Sequence, residues 1–211
     1  MKRTHLLIPA GLALLALAAC AKKEEPPPSE AAPAASMPAA APAAAAPAKT
    51  ATAKLAGLPG DADFSGTVTF AQMADGLHVT ADLSGVDKDG KHGIHLHATG
   101  ECDHDHGFKS AGAHFDPANT GLHACPPTDP RHAGDLGNVE IANGSGHFET
   151  VTSALALDGS TGVVGKAVIL HAGEDDCKTQ PTGNSGDRYA CGVIALDGMA
   201  PTDAPTPPSP N

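Results

Sequence analysis

The sequence predicts an all-β fold made of short strands joined by turns, and three observations support this class. The 211-residue chain contains 24 Gly and 19 Pro, which suggests many turns. It has no Trp, one Tyr and five Phe, so a core would be built from Val, Ile, Leu and Ala. Short alternating runs of apolar and polar residues begin at Asp63. Because composition is uneven along the chain, we expect one folded domain.

The predicted strands follow one another along this region. Residues 64–70 and 77–83 form a hairpin with its turn at 74–76, and a strand over 92–97 follows. After Thr99 no regular period is readable until about Ile141, and strands resume at 147–152, 166–171 and 189–196. The long unpatterned segment and a second one at 172–187 are predicted loops, and such loops in a compact domain are usually functional.

The first 20 residues are typical of an export signal. Residues 1–19 combine a short basic start with an apolar run and small residues, as in a signal peptide too short to span a membrane stably. The ending Leu-Ala-Ala before Cys20 resembles the bacterial lipobox, in which the cysteine becomes the lipidated first residue. Ordinary cleavage nearby with an unmodified Cys20 is the alternative. Ala21 favours, in that lipoprotein family, the outer membrane of a Gram-negative cell. We therefore expect a lipid-anchored protein of the periplasm or cell envelope.

The segments on either side of the predicted domain have low-complexity compositions. Residues 21–54 contain 15 Ala and 7 Pro in 34 positions, with no apolar period that could build a core. Residues 20–57 are therefore predicted to be a disordered tether, and 199–211 a disordered Pro-rich tail. This leaves 58–198 as the folded domain.

The acidic charge balance restricts the partners. The net charge is −11, and loss of a leader carrying Lys2 and Arg3 leaves 11 basic against 24 acidic residues, a net charge of −13. This balance argues against nucleic acid as a partner, and solubility is sufficient to explain it.

Histidines in the middle of the chain indicate a metal site. In the predicted strand 92–97, His95 and His97 share one face while the alternate residues point into a core. Two imidazoles on one rigid strand form half of a metal site. Further potential ligands are His114, His123 and His132, which are nine residues apart, and Asp135, which lies three residues after the last of these histidines. This spacing requires a folded loop rather than a helix.

Four cysteines lie beyond Cys20: Cys102, Cys125, Cys177 and Cys191. An even number in an exported chain predicts two disulfides, with three possible pairings among which spacing cannot choose. A cysteine zinc site is the weaker alternative, because the chain has no C-x-x-C pair and histidines supply ligands in excess.

Four motifs occur in order: GIHLH at 93–97, SAGAHFDP at 110–117, RHAGDLGN at 131–138 and GNSGDRYACGVI at 183–194. Together they closely resemble the Cu/Zn superoxide dismutases, over about residues 58–198. The resemblance implies an eight-stranded Greek-key β-barrel or sandwich with two long functional loops. It also implies an enzyme that converts superoxide to oxygen and hydrogen peroxide, with one copper and one zinc ion per subunit.

The resemblance also implies a ligand set for each metal. The copper ligands would be His95, His97, His114 and His171, and the zinc ligands would be His114, His123, His132 and Asp135. His114 would then bridge the two metals, leave copper on its reduction, take up a proton and donate it to the product. The donor types agree, since imidazoles suit a redox-active copper and a closed set of three His and one Asp suits tetrahedral zinc.

Two supporting residues are implied in the same way. Asp175 matches the family carboxylate that hydrogen-bonds the rings of His95 and His123 and so fixes their orientation. Arg188 matches the active-site arginine that guides the superoxide anion and holds it beside copper. In an acidic protein with an anionic substrate, a local positive charge matters more than the net charge.

In the family that the chain resembles, a disulfide joins a cysteine in the first long loop to the cysteine that follows the active-site arginine. The resemblance therefore implies a bond between Cys102 and Cys191, which leaves Cys125 to pair with Cys177. This second pair departs from the usual family pattern. It agrees with the implied hydrogen bond between Asp175 and His123, because each cysteine follows one of these residues by two positions. Such a bond would covalently cross-link the metal-binding loop to the loop over the active site.

Several alternatives remain open on the sequence alone. A non-catalytic metal-binding or metal-delivery module would not need His171 or Arg188. Both residues are present, which favours the enzyme over such a module. A purely structural anchored β-domain leaves the histidines unexplained. His104 and His106 match no family ligand and are either solvated loop residues or an accessory site for copper or zinc capture. Relatives include monomers and homodimers, so the oligomeric state is undecided.

Overall fold

The computed structural model describes residues 49–61 and 63–198, which form a closed antiparallel β-barrel. Its eight strands are β1 (Lys49–Gly57), β2 (Ser65–Met73), β3 (Gly76–Ser84), β4 (Gly90–His97), β5 (Asp135–Ala142), β6 (Ser145–Thr152), β7 (Ala167–His171) and β8 (Arg188–Leu196). Around the barrel they are ordered β1-β2-β3-β6-β5-β4-β7-β8, and β1 pairs with β8 to close it. The only helical segments in the described ranges are two single 3₁₀ turns, His104–His106 and Lys109–Ala111. The predicted all-β class is confirmed.

Strand alternation places the apolar core inside the barrel. In β3, Leu77, Val79 and Ala81 are fully buried, while the residues between them are partly or fully exposed. The predicted hairpin of β2 and β3 is present, with Met73 paired to Gly76 across the turn. Because one face of each such strand is apolar, its register is fixed by burial.

The first strand corrects the predicted domain boundary. Residues 49–57 were expected to belong to the tether, but they form β1, which pairs with β2 and β8. Ala51, Ala53 and Leu55 are buried and alternate with more exposed residues, so the segment has a strand period. Because two of the three inward residues are alanines, this period is hard to distinguish from the Ala-rich composition before it. The folded domain therefore includes residues from 49 onward, nine residues before the predicted boundary at 58.

The fifth strand also begins earlier than expected. No regular period was readable before about Ile141, but β5 starts at Asp135. Leu136, Val139 and Ile141 all belong to the core, although Leu136 has the opposite sequence parity to the other two. The pairing of β4 with β5 shifts register between Gly93 and His95, and this bulge reverses the alternation. The period is therefore broken at the point where the strand enters the metal-binding region.

Two long loops cover the outer face of β4 and β7. The first loop (98–134) joins β4 to β5, and the second loop (172–187) joins β7 to β8. Ile94 and Leu96 of β4 point into the barrel core, whereas His95 and His97 face the loops and are also buried. The strand is therefore covered on both faces, and its outer face becomes the floor of an enclosed site.

The predicted signal peptide, Cys20, the tether before residue 49 and the tail at 199–211 lie outside the described residues. Within the described part, no helix is long and apolar enough to cross a membrane.

Candidate metal centre

Four histidines meet on the outer face of β4, and we call them the first cluster: His95, His97, His114 and His171. The first two come from β4, the last ends β7, and His114 lies in the first loop. An isolated backbone bridge between His97 and His114 docks that loop onto the end of β4. One ring nitrogen of each histidine lies within 4.8 Å of those of the others, and all four residues are buried.

The hydrogen bonds of the first cluster leave one free nitrogen on each ring. Nδ1 of His97 lies 2.9 Å from the Gly112 carbonyl, and Nδ1 of His171 lies 3.2 Å from the Gly186 carbonyl. Because a carbonyl only accepts, these two rings carry their proton on Nδ1. The buried nitrogens without a partner are His95 Nδ1, His97 Nε2, His114 Nε2 and His171 Nε2. Each would cost about 1–3 kcal/mol if left unsatisfied. The four residues therefore fit a bound metal ion.

The second cluster shares His114 with the first and consists of His114, His123, His132 and Asp135. Asp135, the fully buried first residue of β5, lies at its centre. Its Oδ1 is 2.7 Å from His114 Nδ1, and its Oδ2 is 3.1 Å from His123 Nδ1 and 3.2 Å from His132 Nδ1. Although it is close to Asp135 Oδ2, His123 Nδ1 is not in hydrogen-bonding geometry with that oxygen, and it is buried without a hydrogen-bond partner. Three imidazoles and one carboxylate form a donor set that fits zinc.

Asp175 connects the two clusters from the second loop. Its Oδ2 lies 2.7 Å from His95 Nε2 and its Oδ1 lies 2.9 Å from His123 Nε2. The backbone N–H of Cys177 also donates to Oδ1, at 2.7 Å. One buried carboxylate therefore orients a ring in each cluster and directs the Nδ1 atom of both rings toward the sites.

Gly183 permits the second loop to approach this carboxylate. Its φ is +68°, a left-handed conformation, and a Cβ there would lie 2.1 Å from Asp175 Oδ1 and 2.4 Å from His123 Nε2. Both the backbone conformation and the close approach require glycine at this position.

Arg188 is the first residue of β8 and pairs with His171 across the sheet. Its guanidinium donates to the carbonyls of Phe108 at 2.5 Å and Gly112 at 2.6 Å. The Gly112 carbonyl also faces His97, so Arg188 is held directly beside the first cluster. Burial lowers the pKa of this half-buried guanidinium below its usual value, but an arginine remains cationic at neutral pH.

Burial keeps three histidines of the first cluster neutral: His95, His97 and His171. It lowers the pKa of His95 well below 6.5, that of His97 to about 2 and that of His171 to about 4. The nearby positive charge of Arg188 lowers the pKa of both His97 and His171 further. Neutral imidazoles present lone pairs, so these three residues are ready to bind a metal at neutral pH.

Comparison with known proteins agrees with this geometry. The family model for copper/zinc superoxide dismutase matches residues 64–194, more than half of the chain. The chain belongs to the copper/zinc superoxide dismutase family. Among solved structures, the crystal structure of the clock protein EA4 is similar, with a TM-score of 0.62 and 36% sequence identity, covering 69% of this chain and 93% of that chain. The family assignment supports superoxide dismutase activity for this chain.

Two disulfides hold the loops of this superoxide dismutase domain. Cys102 in the first loop is joined to Cys191 in β8, with 5.7 Å between their Cα atoms. Cys125 in the first loop is joined to Cys177 in the second, with 4.9 Å between their Cα atoms. These are the two pairings that follow from the family resemblance. The second disulfide joins the two loops to each other rather than to the barrel.

Three supporting residues were not identified from the sequence. His92, to which the sequence assigned no role beyond starting the strand 92–97, is buried, and its ring nitrogens lie 2.8 Å from the carbonyls of His171 and Lys88. Its even spacing from Ile94 and Leu96 indicated an inward position. Asn138 pairs with the backbone of Asp175 through both atoms of its amide, at 2.9 and 2.8 Å. Gln180 contacts the backbone of His123. No sequence signal identified Gln180.

His104 and His106 belong to neither cluster. Both are exposed on the first loop. The His104 ring packs edge-on against Phe108, and His106 Nδ1 lies 2.5 Å from Asp103 Oδ2, a hydrogen bond that lowers the pKa of Asp103. These contacts account for both side chains locally.

Proposed function

We propose that this protein converts superoxide to oxygen and hydrogen peroxide with copper held by the first cluster and zinc held by the second, joined through His114. The observation that carries the proposal is the set of buried ring nitrogens without partners, four of them in the first cluster. A purely structural domain would not leave four such atoms unsatisfied beside one another.

The metals and the protein have separate roles in this proposal. Copper, when bound, supplies one-electron redox chemistry, whereas zinc has none and fixes the ligands of the second cluster. Arg188 attracts the superoxide anion and positions it with the N–H groups not used by the carbonyls of Phe108 and Gly112. One superoxide is oxidised to oxygen, and the second is reduced and takes up two protons to form hydrogen peroxide.

His114 is placed to supply one of these protons. Its Nε2 faces the first cluster without a protein partner, while its Nδ1 is directed toward Asp135. An imidazole held in this way can carry a proton on Nε2 whenever that nitrogen is not coordinated, and can release it to the reduced product.

The test is superoxide-dependent dye reduction by the purified protein before and after metal removal. We expect activity to disappear on treatment with a chelator and to return when copper and zinc are added together. Copper alone should restore less, because the second cluster then lacks its ion. Activity that persists in the fully metal-depleted protein, or that never appears in the doubly loaded protein, would contradict the proposal.

We further propose that Cys20 is lipidated and anchors the enzyme to the outer membrane, so that it protects the cell envelope from superoxide arising outside the cytoplasm. The lipobox-like ending of the first 19 residues and the two disulfides support export to an oxidising compartment. In cell fractionation, we expect the wild-type protein in the membrane fraction and the Cys20→Ser variant elsewhere. Equal distribution of the two proteins would refute the anchor.

A further inference from the structure

His123 has a partner for every polar atom except the one directed into the second cluster. Its backbone N–H donates to Gln180 Oε1 at 2.7 Å, and its carbonyl accepts from Gln180 Nε2 at 2.7 Å. Its ring Nε2 lies 2.9 Å from Asp175 Oδ1. Only Nδ1 lacks a hydrogen bond, and it is buried. The surroundings of His123 thus leave a single nitrogen available as a ligand.

Gln180 reaches this position from a short turn of the second loop. Asp176 accepts from the backbone N–H groups of Lys178 and Thr179, at 2.9 and 2.8 Å, which folds the segment before Gln180. Although Gln180 is exposed as a residue, its amide engages both backbone groups of a residue that is only 3% exposed. The two hydrogen bonds resemble those between paired strands.

The Cys125–Cys177 disulfide provides a second attachment between the same segments. Cys125 follows His123 by two residues, and Cys177 lies between Asp175 and Gln180. Within these few residues, the two loops are therefore joined by the bridging carboxylate, by a covalent bond and by the Gln180 amide. Neither the disulfide nor the Gln180 contact uses a ligand atom of either cluster.

We propose that Gln180 is a positioning residue which, together with the Cys125–Cys177 disulfide, holds the backbone of His123 so that Nδ1 keeps its orientation in the second cluster and bound zinc is released slowly. The inference rests on the proposed binding of zinc by this cluster. It goes beyond it by assigning zinc retention to a residue that contacts no metal.

The test is the rate of zinc release from the copper- and zinc-loaded protein into the chelating dye 4-(2-pyridylazo)resorcinol, compared between wild type and Gln180→Leu. Loss of a group that orients a metal ligand typically weakens metal binding by about tenfold to a hundredfold, and we expect faster release in that range. Gln180→Glu keeps the acceptor for the His123 N–H but loses the donor to its carbonyl, so its rate should be intermediate.

Gln72→Leu is the matched control. Gln72 Oε1 also accepts a backbone N–H from a distant loop, that of Leu157 at 3.2 Å, and its Nε2 donates to the Met73 carbonyl. It contacts neither cluster, so its loss should leave the zinc-release rate unchanged.

Cobalt(II) loaded in place of zinc gives a second measurement, since its visible spectrum reports ligand geometry. We expect that spectrum to change in Gln180→Leu and not in Gln72→Leu.

The outcomes separate this inference from the proposed function. If the wild-type protein holds zinc and is active but Gln180→Leu and Gln180→Glu release zinc at the wild-type rate, the positioning role is wrong. If wild type takes up no zinc, the proposed function fails first. Should Gln180→Leu not fold, Gln180→Glu carries the test.

In a Cys125→Ser/Cys177→Ser background, Gln180→Leu should accelerate zinc release by a larger factor than it does with the disulfide intact, because the two attachments hold the same backbone. An equal factor in both backgrounds would show that the disulfide has no part in this role.

Discussion

Arg188→Ala is expected to lower kcat/KM for superoxide by at least about tenfold while leaving the copper and zinc contents unchanged. Electrostatic steering, for which superoxide dismutase is itself a known example, changes association rates by about tenfold to a thousandfold. Arg188 donates to the carbonyls of Phe108 and Gly112 beside the first cluster, but it contributes no atom to either cluster. Its loss should therefore affect the capture of the anion rather than the binding of metal.

Two comparisons sharpen this prediction. Arg188→Lys keeps the charge, but an ammonium group lacks the planar fork that spans the two carbonyls, so we expect intermediate activity. Lys54→Ala removes an exposed positive charge whose side chain contacts Thr67 in the barrel wall, and it should leave kcat/KM unchanged. The dependence of kcat/KM on ionic strength should weaken in Arg188→Ala. A variant that lost activity only in proportion to lost metal would contradict the steering role.

His114→Ala is expected to reduce activity to that of the metal-depleted protein, whichever metal is supplied. His114 is the one residue common to the first and second clusters, with Nε2 in one and Nδ1 in the other. Its removal takes a donor from both sites at once and leaves Asp135 without its hydrogen bond at 2.7 Å. Elemental analysis after metal loading should show both contents reduced, together with the loss of dye-reduction activity.

His147→Ala is the control for this change. His147 is also a histidine paired with a carboxylate, Asp82 at 2.7 Å, but the pair is exposed on the outside of the barrel and belongs to neither cluster. Its substitution should leave both metal contents and activity at wild-type levels. His114→Ala protein that kept both metals at full occupancy and retained activity would exclude the shared-ligand role.

The parts of the site that could be predicted are those that depend on residue type and strand geometry. Alternation in β4 places His95 and His97 on one face because successive side chains point to opposite faces. The histidines of the first loop could be assigned only through a resemblance to known motifs, because nothing in their spacing alone reveals how an irregular loop folds. In the structure, an isolated backbone bridge between His97 and His114 places the two residues side by side, and this contact cannot be read from their spacing.

Other features were hidden for identifiable physical reasons. Alanine fills much of the inner face of β1 but is also common in the low-complexity segment before it, so composition obscured the strand. A bulge between β4 and β5 reversed the alternation of β5. Gln180 acts through its amide on the backbone of a residue 57 positions away, and such a contact leaves no trace in a local pattern.

The connectivity of the disulfides has a consequence for how the protein would respond to proteolysis. The Cys125–Cys177 bond is nested within the segment closed by Cys102 and Cys191. Apart from His95 and His97, every residue of the two clusters lies inside this outer ring, as do Asp175 and Arg188. A single backbone cleavage anywhere between 103 and 190, including the tips of both long loops, leaves the two fragments covalently joined. Such nicking would open the surface of the site without allowing its two halves to diffuse apart.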